Sequence, residues 1–129
     1  MPPPDTAIEL AITFFYYRDL PAAMRFYEGV MGLPLAIDQG WCKIYRLCPG
    51  AHVGLVDETR GMHRAAPVKP VQLCLRVGDV DAWHCYATDH ALPALSGIFE
   101  NAALGIRAFV FEDPEGYQIE IQQAVREGA

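Results

Sequence analysis

At 129 residues, with 52% apolar and 20% charged side chains, the chain has the make-up of one folded domain or of two small modules, and disorder is excluded for most of it. Sixteen acidic residues against ten basic ones give a net charge of −6, with no basic run to neutralise phosphates, so neither nucleic acid nor an anionic membrane is an expected partner. No apolar stretch approaches the roughly 20 residues of a membrane helix, the start Met1-Pro2-Pro3-Pro4 carries no signal-peptide pattern, and the expected location is cytoplasmic.

The four cysteines, Cys42, Cys48, Cys74 and Cys85, form no CxxC pair, so they are read as reduced and mostly buried thiols. The sole serine, Ser96, is not in a GxSxG elbow, and no phosphate-binding glycine loop occurs. Serine-hydrolase and nucleotide-dependent chemistry therefore have no support.

In chain order, residues 1–6 are expected to be disordered. Residues 12–18 are rich in β-formers, and Ile12, Phe14 and Tyr16 alternate onto one face as an aromatic wall. Asp19 follows as a helix N-cap, with Pro21 in the first turn. Leu20, Ala23, Met24, Tyr27, Val30 and Met31 make a helical stripe that Gly32 ends in a left-handed cap. Strands are expected at 33–37, 41–47 and 52–56, with Asp38-Gln39-Gly40 and Pro49-Gly50 as turns. Trp41, Lys43 and Tyr45 alternate with Cys42, Ile44 and Arg46, and the pattern leaves open which set faces inward.

The pattern then repeats about 60 residues later. Gln72, Cys74 and Arg76 share a polar strand face, and Leu73, Leu75 and Val77 the apolar one. Asp79 caps a second helix with Val80, Trp83, Ala87 and Ala91 on its stripe, ended by Leu92-Pro93. His84 and His90 are read as surface residues. A weak strand lies near 97–100, and clear ones at 106–111 and 117–122. Asp113-Pro114-Glu115-Gly116 joins the last two as a type I turn. Glu120 alternates with Ile119 and Ile121 and shares its face with Gln118 and Gln122. The expected class is α+β, with βαβββ modules at 7–57 and 70–126 joined by a linker at 58–69. A half of about 60 residues buries a marginal core, so the halves are expected to pack together or to pair with another chain.

Asp19-Leu20 leading to Phe26-Tyr27 and Met31-Gly32-Leu33, then Val77-Gly78-Asp79-Val80 and Asp113-Pro114-Glu115-Gly116-Tyr117-Gln118-Ile119-Glu120-Ile121, resemble the vicinal oxygen chelate superfamily of glyoxalases, bleomycin-resistance proteins and extradiol dioxygenases. The resemblance spans residues 8–122. It implies paired modules whose curved mixed sheets enclose a cleft, commonly in a homodimer. In metal-dependent members the first and last strands of each module supply the ligands. The corresponding positions here are Ile12, Gly54, Gln72 and Glu120.

Ile12 and Gly54 cannot ligate through side chains, and a catalytic metal takes about three protein ligands. Gln72 and Glu120 can ligate, and His52 shares Gly54's face as a substitute donor. The candidate metal set is thus Gln72, Glu120 and His52. Glu120 is the candidate catalytic group, as base, ligand or acceptor. The candidate ligand-binding residues are Phe14, Tyr16, His52, Gln72, Cys74, Arg76 and Gln118. Arg60 and His63 of the linker are read as solvated loop residues, with a cover over the cleft mouth as the alternative. The expected function is cofactor-free binding of a small organic molecule by a homodimer. The alternative is a lyase, isomerase or dioxygenase using Zn, Ni, Mn or Fe.

Overall fold

A computed structural model describes residues 2–129 of the chain. Met1, the first residue of the segment expected to be disordered, lies outside the described residues, and residues 2–10 form neither helix nor strand. The chain divides into two compact units, Met1–Ala65 and Ala66–Ala129.

The first unit runs β1 (Ala11–Tyr17), α1 (Leu20–Met24), a π-helical turn (Arg25–Val30), β2 (Leu35–Asp38), β3 (Cys42–Cys48) and β4 (Ala51–Asp57). Its open sheet has the order β1-β4-β3-β2, with β1 and β4 parallel and the other pairs antiparallel. Alternation on β1 decides the two faces. Phe15 and Tyr17 are buried, and the Tyr17 hydroxyl donates to that of Tyr27 at 3.3 Å. In register beside them, Val53, Leu55 and Tyr45 complete this core. Ile12, Phe14 and Tyr16 take the opposite face.

Asp19 caps α1 by accepting from the Ala22 amide at 3.1 Å, with Pro21 in the first turn. Gly32 ends the helical segment at φ +70°, a value that costs glycine little. Between these points the winding differs from expectation. The Met31 amide donates to the Phe26 carbonyl, five residues back. In this wider turn Phe26 is buried beside Tyr27, their rings edge to face at 5.2 Å. Met24 and Val30, expected on the buried stripe, are only half-buried.

The second unit repeats the topology: β5 (Gln72–Arg76), α2 (Val80–Asp89), β6 (Phe99–Asn101), β7 (Ile106–Glu112) and β8 (Gln118–Ala124), in sheet order β5-β8-β7-β6. Asp79 caps α2 through the Ala82 amide at 3.0 Å. Ala91, placed on the buried stripe by periodicity, lies beyond the helix, exposed and at φ +49°. Leu92 is buried instead. His84 is half-buried: its Nε2 lies 2.8 Å from the Ser96 carbonyl and its ring meets Phe109 edge-on. His90 is exposed and stacks on Tyr86.

The hairpin before β8 forms as read. The Gly116 amide donates to the Asp113 carbonyl, and the buried Asp113 carboxylate accepts from the Glu115 and Tyr117 amides. Burial of the thiols does not hold generally, since only Cys42 is buried while Cys48, Cys74 and Cys85 are exposed. They fall on open strand faces, at a strand end or on the outer side of α2, where periodicity in the sequence gives no burial. No helix among the described residues is long and apolar enough to cross a membrane.

Candidate functional site

The face of the first sheet turned away from α1 is apolar. Cross-strand register sets Ile12 beside His52, Phe14 beside Gly54 and Tyr16 beside Val56, with Cys42 and Ile44 continuing the row on β3. Cys42, Ile44 and Val56 form a buried cluster against which Ile12 and Tyr16 pack. Phe14 leans its ring edge on Gly54. A Cβ there would sit 2.5 Å from Phe14 Cδ1 and 3.3 Å from Ile12 Cγ2, so this close approach needs glycine.

Above this face lies a pocket of about 180 Å³, lined by Phe14, Tyr16, Gln39, Trp41, Cys42, Val56, Gly61 and Met62. Trp41 ends the β2–β3 turn, outside the strand's alternation, and lines the pocket together with Cys42. Burial pushes the Cys42 thiol up, and it stays neutral at physiological pH.

Part of the linker is an ordered loop that reaches this face while Arg60, Met62 and His63 themselves stay exposed. Asp57 accepts from the Thr59 amide at 2.9 Å and its hydroxyl at 2.7 Å. The Arg64 guanidinium donates to the carbonyls of Glu58, Gly61 and His63, and Glu58 accepts from the Ala65 amide. Gly61 is thereby pressed against Tyr16 and Val56. His63 meets the Tyr16 ring edge-on at 5.2 Å, and Arg60 lies over Trp41, 6.0 Å from its centroid.

The corresponding face of the second sheet is polar. Register aligns Gln72 with Gln118, Cys74 with Glu120 and Arg76 with Gln122. Gln72 Nε2 donates to Gln118 Oε1 at 2.7 Å and to Glu120 Oε1 at 3.3 Å. Glu120 Oε2 accepts from Gln122 Nε2 at 2.7 Å, with the Cys74 sulfur 3.7 Å away. Arg76 Nε donates to Gln122 Oε1 at 2.9 Å. The row thus runs Arg76, Gln122, Glu120, Gln72, Gln118. It can hold a carboxylate in one place and offer amides to a ligand. Loss of solvent around the sulfur, reinforced by Glu120, pushes the Cys74 thiol up despite Arg76, which is the wrong direction for a nucleophile.

Of the residues singled out in the sequence, Phe14 and Tyr16 line the pocket. Gln72, Cys74, Arg76, Gln118 and Glu120 stand together on the second sheet. His52 is 8% exposed, and its Nδ1 is buried with no hydrogen-bond partner among the described residues. It shares the face of Gly54 but does not line the pocket. Trp41 falls on an expected strand whose inward face the sequence leaves open, whereas Gln39 and Met62 are not singled out, since turn and loop positions carry no periodicity.

The family model of the Glyoxalase/Bleomycin resistance protein/Dioxygenase superfamily matches residues 9–121. The chain belongs to this superfamily. Solved structures agree on the fold. A lactoylglutathione lyase from Agrobacterium tumefaciens is 22% identical, with a TM-score of 0.73 over 99% of this chain and 100% of that one. A glyoxalase/bleomycin resistance protein/dioxygenase from Nocardioides is 16% identical, with a TM-score of 0.74 over 95% of this chain and 87% of the other. The oxidase ChaP-H2 is 21% identical, with a TM-score of 0.69 over 96% and 98%. A comparison with curated protein sequences finds no significant match. A lyase and an oxidase sharing one fold leave the reaction to be argued from side chains.

The superfamily's metal-dependent members set the test for a cation. Ile12 offers only carbon, and Phe14 fills the space where a side chain at Gly54 would begin. His52 has Ile12 and Arg46 as its cross-strand neighbours, an alkyl group and a cation. Among the described residues, no group of three or more His, Cys, Asp or Glu side chains stands as a metal site. Gln72 and Glu120 alone fall short of three protein ligands. The donor set at these positions does not fit a divalent metal centre.

Proposed function

We propose that this superfamily member binds a small, largely apolar organic ligand through the aromatic pocket of its first unit, without a metal ion. The supporting observation is the pocket wall. Phe14 and Trp41 remain 45% and 41% exposed and Met62 89% exposed around a cavity with an apolar floor. Exposed apolar surface around a concavity is what a ligand would remove from water. The working form is proposed to be a cytoplasmic homodimer.

The second reading is a divalent-metal-dependent lyase, isomerase or dioxygenase of glyoxalase type. It rests on Glu120, whose carboxylate is held by Gln72 and Gln122 as a positioned base would be. It requires turnover that vanishes in Glu120→Gln.

Thermal denaturation of chelator-treated protein against single-ring aromatic compounds tests the first reading. A ligand at 100 times its Kd stabilises by about 2.7 kcal/mol. Stabilisation that survives the chelator and is lost in Phe14→Ala is expected. Stabilisation that appears only with added metal would favour the second reading.

A further inference from the structure

We infer that the first unit's pocket selects a single aromatic ring carrying an anionic group, with Arg60 at its mouth setting the charge preference; this rests on the pocket being the binding site. Size comes first. Apolar cavities of about 150 Å³ take up benzene, and this one is about 180 Å³, enough for one ring and a short substituent. The walls come next: Phe14, Tyr16 and Trp41 offer ring faces and edges, and Met62 a flexible thioether that adapts to ring shape.

Charge decides the class. The lining residues include no acidic side chain. The carboxylates nearest in sequence are already engaged by hydrogen-bond donors within the unit: Asp38 by Lys43 and the Gly40 amide, Asp57 by Thr59, Glu58 by the Ala65 amide; Arg60 adds only a through-space attraction to Asp57 and makes no side-chain ion pair with it. Arg60 stands over Trp41, on a loop that Arg64 fastens through three carbonyls. The loop therefore presents Arg60 at the aromatic wall at little ordering cost. A guanidinium held against an indole can stack with a ring and bond a carboxylate with its fork of N–H groups. A neutral ligand gains only the first of these.

Phenylacetate and 2-phenylethanol, alike in size and differing in charge, are titrated into the full chain by calorimetry. Phenylacetate is expected to bind about tenfold tighter, as one charge-assisted hydrogen bond would give. Arg60→Gln should bring the two within about twofold, phenylacetate losing both stacking and the charge-assisted bond and 2-phenylethanol only the stacking. Arg107→Gln, a charge change in the second unit, should leave the preference intact. Raising the salt from 50 to 500 mM should narrow it. Equal affinities in the wild type, or a preference that persists in Arg60→Gln, would overturn the inference and leave the pocket as the binding site. Binding of neither compound would overturn both. Probe binding that disappears as protein concentration rises would mean that a second copy of the chain covers the pocket, and would overturn the inference as well.

Discussion

Phe14 and Gly54 show how one contact can decide the character of a face. The ring occupies the space over the glycine, so a residue that could bear a donor is replaced by an aromatic wall. Gly54→Ala should push the ring outward, which its partial exposure permits. The expected cost is about 1–2 kcal/mol of stability and a larger loss of affinity for aromatic probes. Chemical denaturation beside probe titration separates the two. Tyr45 gives a prediction in pH. Burial and the 3.0 Å hydrogen bond to Glu28 push its hydroxyl up to about 12, above the unfolded value of about 10. A group with a raised folded pKa contributes its full stability below the unfolded value and loses it as pH rises through the folded one. Stability should therefore fall between pH 10 and 12, and Tyr45→Phe should flatten that fall in denaturation midpoints measured across the range.

Among the elements, those closed by a local chemical device were legible in the sequence. The two aspartate caps, the Gly32 stop and the Asp113–Gly116 turn each depend on one or two side chains within a few residues. Asp19→Ala should cost about 1 kcal/mol, measured by urea denaturation, and Asp19→Asn should restore most of it. The elements that differ from expectation are those in which packing overrides period. Phe26 is buried within a segment that widens into a π-turn, while Met24 and Val30 of the expected stripe stay half-buried. The site divides in the same way. Phe14, Tyr16 and the Gln72–Glu120 row follow from strict strand alternation. Trp41, Met62 and Arg60 come from a turn and a loop, whose side-chain directions depend on hydrogen bonds such as those of Arg64.

At the scale of the whole molecule, the repeat kept its topology and diverged in chemistry. Both units have the same strand order around one capped helix. One presents an apolar aromatic face and the other a polar row centred on Glu120. Of the four positions that hold a metal in related proteins, only Gln72 and Glu120 retain donors, and both lie in the second unit. Metal-free binding is thus the central claim, and calorimetric titration of chelator-treated protein with Zn, Ni, Mn and Fe(II) addresses it most directly. No stoichiometric binding of any of the four is predicted. One tightly bound ion per chain, lost in Glu120→Ala, would contradict the account and place the protein with the metal-dependent enzymes of its superfamily.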